Sequence, residues 1–201
     1  MTTAIITGDI IKSQGQDPEH WMETLKSTLS NFGKSPKNWE LYRGDSFQLE
    51  TTPKTALYAA LLIKAHLKQY SNLEVRLAIG IGEKTFETNK ITESNGSAFV
   101  NSGICFENLK KNTLAIKTQH EHLNHSLNLM FELASLTIAN WTSAVAELIA
   151  YALAHPDHNQ QRIAKHQKTT QSNVSQGLKR GGFDELSKLL QYYQTQIETL
   201  C

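Results

Sequence analysis

Residues 161–181 read QRIAKHQKTTQSNVSQGLKRG, and this stretch narrows the possible folds more than any other. Ile163 and Ala164 place an apolar pair on a first short helix. Val174 and Leu178 stand four apart, which puts them on one face of a second helix. Lys168-Thr169-Thr170 lies between the pairs as a tight turn. Thr170 is positioned as the N-cap of a helix opening at Gln171. The small side chain of Ala164 lets the two helices cross closely. With Val174 and Leu178 turned inward, Gln171, Ser172, Asn173, Ser175, Gln176, Lys179 and Arg180 occupy the outer face. Side chains of these types read base edges or hold phosphates.

The stretch resembles the helix-turn-helix of bacterial DNA-binding regulators. The matching residues are Ile163-Ala164, Thr170-Gln171-Ser172, Val174-Ser175 and Leu178-Lys179-Arg180. The resemblance implies double-stranded DNA as a partner, contacted by Thr170 together with the seven outer-face residues. One position departs from the family. Four residues after Ala164 those regulators carry Gly, whereas this chain has Lys168. A left-handed backbone there costs a non-glycine residue about 1 kcal/mol, so a looser turn is expected. The alternative is an ordinary helical hairpin that docks another protein, or only the chain's own core.

Charge tempers the DNA reading. The formal net charge is +1, too small to draw the whole chain onto nucleic acid or an anionic membrane. From Asn140 onward six Lys/Arg face five Asp/Glu, so any attraction must be local, through Lys165, Lys168, Lys179 and Arg180. The two cysteines, Cys105 and Cys201, do not make a disulfide framework, which fits a reducing compartment. There is no basic opening segment followed by an apolar run, and no apolar stretch of membrane-spanning length. The expectation is a cytoplasmic protein with no membrane partner.

The 201 residues allow one large domain or two small ones. The chain opens with a β-branched strand over 3–11, followed by an amphipathic helix over 19–32 carrying Trp21, Leu25, Leu29 and Phe32. Residues 39–50 alternate in polarity around Gly44-Asp45, the signature of a hairpin. Pro53 opens a long helix ending near Tyr70. Residues 75–82 form a buried strand. Residues 83–96 form a loop with a weak strand near Ile91. A helix over 98–109 and a strand over 113–117 follow. His120, His122 and His125 lie in a polar connector, beyond which the chain is helical: 127–136, 141–153, the helix-turn-helix and 183–200. This order predicts an α+β protein. A ferredoxin-like or cyclase-like α/β sandwich over 1–120, with helices on one face of a mostly antiparallel sheet, precedes an all-α, winged helix-turn-helix domain over 121–201.

Asp9-Ile10-Ile11, Gly44-Asp45 and Arg76-Leu-Ala-Ile-Gly-Ile-Gly82 resemble the catalytic domain of class III nucleotide cyclases, and Asn95-Gly96 with Val100-Asn101 echo it weakly. As a whole the chain resembles the SatD-like family of bacterial proteins. The cyclase resemblance implies Asp9 and Asp45 as a metal pair, with Mg²⁺ bridging triphosphate oxygens. It also implies Ile10, Gly44 and Arg76 as nucleotide-binding residues. Two departures stand out. Leu41 replaces the base-reading Lys, and Cys105 replaces the Arg that neutralises transition-state charge. The plainer reading of Asp9 and Asp45 is turn chemistry.

Trp21, Trp39 and Trp141 are expected in the core, Cys105 as a buried structural thiol, and His155, His158 and His166 at helix ends and on the surface. The reading these features favour is a DNA-binding transcriptional regulator whose degenerate cyclase-like domain senses a nucleotide effector or mediates dimerisation. An Mg²⁺-dependent nucleotide-binding protein or cyclase-like enzyme is the main alternative, and a protein-interaction adaptor the third. A homodimer is expected, through the apolar stripe Leu186, Leu190, Tyr193 and Ile197.

Overall fold

The computed structural model describes residues 2–11, 18–71 and 73–199. Five strands and eight α-helices are formed among them: β1 (Thr2–Ile11), α1 (Pro18–Ser30), β2 (Trp39–Tyr42), β3 (Ser46–Thr51), α2 (Ala56–Leu67), β4 (Glu74–Glu83), α3 (Ser97–Glu107), β5 (Leu114–Lys117), α4 (Glu121–Ala139), α5 (Ser143–Ala154), α6 (Gln160–His166), α7 (Gln171–Arg180) and α8 (Phe183–Glu198). The strands form one mixed sheet in the order β2-β3-β1-β4-β5, antiparallel except for the β4/β5 pair. The protein is α+β.

Strand β1 is buried on both sides because the sheet is covered on both faces. Ala4, Ile6 and Ile10 join Phe47, Leu49, Val75, Leu77, Ile79 and Ile81 in the large core under α1 and α2. The alternate residues face α3, where Ile5 packs with Ile91 and Ala98, and Ala78 with Cys105 and Leu109. The expectation of helices on one face is therefore corrected: α3 lies against the other. Gly80 permits this, since a Cβ there would collide with the Ser102 amide and the Ala98 carbonyl. Thr7 and Ser102 share a hydroxyl hydrogen bond of 2.6 Å across that contact. Ile91 sits fully buried in a 3-10 turn (Ile91–Glu93) rather than in a strand.

Helix α4 begins at Glu121, so His122 and His125 are exposed helical residues and only His120 stays in the connector. The early start has a physical cause. The Asn124 side chain accepts from Thr118 N–H and donates to Thr118 C=O, at 2.8 and 3.0 Å. Asn128 does the same for Ile116, at 2.8 and 2.9 Å. Two amides one helical turn apart thus satisfy alternate residues along the free edge of β5, which would otherwise offer unpaired backbone groups.

The apolar core does not stop at residue 120. It runs from the sheet through α2 into α5 and on to Ile163, Val174, Leu178 and Tyr193. Tyr193 Oη donates to the Pro53 carbonyl at 2.7 Å, and Lys54 pairs with Glu198, so α8 is fastened beside the start of α2. Lys64 is the exception in that core. Fully buried on α2, it donates to Glu74 Oε1 at 3.2 Å and to the Val75 carbonyl at 2.8 Å. Burial lowers its pKa, because the charged form loses its hydration, and Glu74 opposes that shift. No helix among the described residues is long and apolar enough to cross a membrane.

Candidate nucleic-acid interface and a carboxylate site on the sheet

Helices α5, α6 and α7 each open on a side-chain cap. Thr142 accepts from Val145 N–H, Asn159 from Arg162 N–H, and Thr170 from Asn173 N–H. Caps of this kind are worth about 1 kcal/mol each. The α6–α7 turn is closed rather than loose. Lys168 adopts the left-handed conformation, with φ at 51°. Thr169 N–H reaches the Ala164 carbonyl at 3.0 Å and Lys168 N–H the Lys165 carbonyl at 3.4 Å. These two bonds make a complete Schellman ending with Lys in the place that usually holds Gly. The expected looseness is absent because the turn accepts a strained residue instead of opening.

Val174, Gly177 and Leu178 form the buried face of α7. Gly177 lets α7 approach α5, since a Cβ there would strike Leu148 Cδ1. Trp141 Nε1 donates to the Gly181 carbonyl at 3.0 Å and fixes the end of the helix. All eight sequence-derived candidates (Thr170, Gln171, Ser172, Asn173, Ser175, Gln176, Lys179 and Arg180) are exposed. The surroundings are more basic than the whole region's balance suggested. From His158 to Phe183 the chain carries Arg162, Lys165, Lys168, Lys179 and Arg180 and not one carboxylate. Among the described residues, the only ion pair of these five is that of Arg162 with Asp157. No β-hairpin follows α7. The chain turns at Gly181-Gly182 into α8, so among the described residues the unit has no wing.

The last helix does not offer the dimer surface assigned to it. Leu186, Tyr193 and Ile197 are buried in the chain's own core, and Leu190 packs partly against it. The exposed apolar row lies on α4 instead: Leu129, Leu133 and Leu136 are 53%, 60% and 67% exposed.

On the sheet, register brings the carboxylates together. Asp9 pairs with Ser46 on β3 and with Arg76 on β4, so the three side chains share the α3 face. Ser46 Oγ lies 3.3 Å from Asp9 Oδ1 and 3.4 Å from Asp45 Oδ1, and so bridges the two carboxylates. Arg76 Nη2 donates to Asp9 Oδ2 at 2.7 Å, and its guanidinium carbon stands 5.2 Å from the Phe106 ring centroid. Tyr42 flanks the group. Burial raises its phenol above the usual value; Arg43 opposes this and Asp9 adds to it. Gly44 occupies the exposed tip of the hairpin. Ile10 contributes little to a ligand: its side chain is in the core and its N–H is bound to the Asp45 carbonyl at 3.0 Å. Leu41, paired with Phe47, packs on the core side of the sheet, away from Asp9. Cys105 is buried against Ala78, and burial pushes its thiol up to about 12, so it is no nucleophile at neutral pH.

The donor set suits Mg²⁺ in part. Mg²⁺ is commonly held by one or two carboxylates with waters and substrate phosphates completing its shell. Asp45 and Ser46 leave oxygens available, but Asp9 Oδ2 is committed to Arg76. Among the described residues no group of three or more His, Cys, Asp or Glu is placed to hold a metal ion.

Sequence reasoning missed Ser46 and Tyr42, which the strand register reveals, and Phe106, which the packing of α3 on the sheet brings to Arg76. It also missed a ring cluster at the α5–α6 connection. Tyr151 stacks on His155 with centroids 4.2 Å apart and lies 4.3 Å from the His166 ring, while its hydroxyl meets His158 Nδ1 at 3.0 Å. The i, i+4 and i+7 spacing of Tyr151, His155 and His158 was the available signal. No family model matches the chain, and neither a curated protein nor a solved structure matches it.

Proposed function

We propose that the chain is a DNA-binding transcriptional regulator, with α7 as the helix that enters the major groove. The observation carrying this reading is the α6–α7 unit itself: five cations and no carboxylate over 158–183, around a helix whose outer face is entirely polar and exposed. Protein-docking faces usually centre on Trp, Tyr or Arg anchors; the outer face of α7 carries no aromatic residue, and its one Arg stands at the end of the helix. In this reading Lys165, Lys168, Lys179 and Arg180 hold phosphates, and the polar side chains of α7 meet base edges. The sheet region is read as a cyclase-like module that senses a nucleotide effector, consistent with a SatD-like protein. Two such chains pair on DNA through the leucine row of α4.

The test is retention of genomic fragments by the intact protein at moderate salt, followed by sequencing. Defined sites should be enriched, with binding that weakens steeply as salt rises. Lys179→Ala and Arg180→Ala should weaken binding to all sequences alike, each reducing the salt slope by about 1. Absence of salt-sensitive retention on any DNA refutes the regulator and favours an adaptor.

One observation favours a second reading. Asp9 and Asp45 are bridged by a single hydroxyl, that of Ser46, at an accessible hairpin tip. In this alternative the two carboxylates hold Mg²⁺, which would neutralise and orient a triphosphate, and the chain is a nucleotide-binding protein or cyclase-like enzyme.

A further inference from the structure

We infer that α7 selects adenine at two positions of its site, through Gln171 and Gln176; this rests on the DNA-binding reading above. The argument is one of elimination among side chains that reach a base edge. Gln171, Ser172, Ser175, Gln176 and Lys179 line one shallow groove along the outer surface of α7. Asn173 lies outside that groove, and its Nδ2 already donates to Thr169 Oγ1 at 3.1 Å, which commits it to the turn. Thr170 is likewise committed as the N-cap. The serines have short hydroxyls that satisfy any base. Gln171 and Gln176 are thus the two side chains of the groove that carry both a donor and an acceptor on one planar group. That pattern matches adenine N7 and N6 and no other base edge of the major groove.

The rest of the helix points the same way. Guanine is usually read by Arg or Lys; Lys179 does line the groove, but from the last turn of α7, where the reading above gives it to phosphate together with Arg180. Cytosine is read by a carboxylate, and none occurs from His158 to Phe183.

The experiment is selection of bound duplexes from a random library by the intact wild-type protein, Gln171→Ala and Gln176→Ala. The wild type should enrich adenine at two positions. Each variant should lose the preference at one of them, with affinity for the selected site falling about 5- to 150-fold and affinity for unrelated duplex unchanged. Replacing either adenine by 7-deazaadenine removes the N7 acceptor. It should weaken the wild type and leave the matching variant indifferent. Both side chains are exposed, so equal melting temperatures will show that the variants are folded. Enrichment of guanine or cytosine at the protected positions, or retention of the adenine preference by both variants, overturns the inference while DNA binding stands. Failure of the wild type to retain any duplex overturns the DNA-binding reading and this one with it.

Discussion

Lys168 offers a substitution that should strengthen the fold and weaken the proposed function together. At φ 51° its backbone is left-handed. That conformation costs a residue with a Cβ roughly 1–2 kcal/mol. Glycine escapes the cost but adds unfolded-chain freedom worth about 0.5–1 kcal/mol. The Schellman bonds of Lys168 and Thr169 are made by the backbone and survive the change. Lys168→Gly should therefore stabilise the protein by about 0.5–1 kcal/mol, raising the melting temperature by about 1–4 °C for a chain of this size. The exposed Lys168 ammonium is lost at the same time. If it holds a phosphate, the slope of log affinity against log salt should fall by about 0.9. Lys168→Ala completes the test, because alanine keeps the strain and removes the charge. Urea unfolding should rank Gly above both Lys and Ala, while the salt dependence of binding to labelled duplex should be the same for Gly and Ala. A glycine variant no more stable than the alanine variant would refute the strained-turn argument. An unchanged salt slope in both would remove Lys168 from the interface.

Three further outcomes follow from the structure. If the sheet region senses a nucleotide, Mg²⁺ with a nucleoside triphosphate should raise the melting temperature of the wild type and leave Asp9→Asn and Asp45→Asn unmoved, since a ligand of the folded state stabilises by mass action; product formed in the same mixture would make the enzyme reading correct. At Glu74, burial works against the charge but Lys64 and Lys68 outweigh it, so its carboxyl titrates below the usual 4.5; the stability it contributes is complete above that value and fades as pH falls through the lower folded value. Glu74→Gln should lose about 3–5 kcal/mol at neutral pH, because Lys64 stays buried without its carboxylate, and should show a shallower acid transition; a variant melting like the wild type at pH 7 would contradict the buried pair. Leu133→Asp on α4 should turn a dimer into a monomer by light scattering without lowering the melting temperature of dilute protein, and a wild type already monomeric at micromolar concentration would remove that interface.

Most of the strand and helix order was legible because it rests on local periodicity. The β-branched run of β1, the alternation flanking Gly44-Asp45, and Trp21, Leu25 and Leu29 at helical spacing each carry their own signal. The start of α4 was not legible, because its cause is tertiary. Asn124 looks like a connector residue, and Asn128 like an ordinary polar position of the expected helix, until β5 presents the backbone edge that they satisfy. Helix α3 was read correctly as a helix, but not which face of the sheet it covers. Gly80 and Gly82 were seen as part of a strand, and their lack of side chains is what admits the α3 backbone.

The two candidate sites differ in the same physical way. The polar face of α7 is fixed by which residues of one helix are apolar, so Val174 and Leu178 alone suffice to orient Gln171 and Gln176 outward. The carboxylate site depends on the relative register of three strands. Asp9 and Arg76 lie 67 residues apart, and their 2.7 Å contact exists only because β1 and β4 pair as they do. A slip of one residue would send Asp9 into the apolar core under α1 and α2, against Phe47 and Leu77. Gly8 now occupies that place, and a Cβ there would already collide with the Phe47 ring. Phe47 and Leu77 thus leave no room for a side chain at that place on the core face; Gly8 fits there, and Asp9 stays on the face where Ser46 and Arg76 meet it.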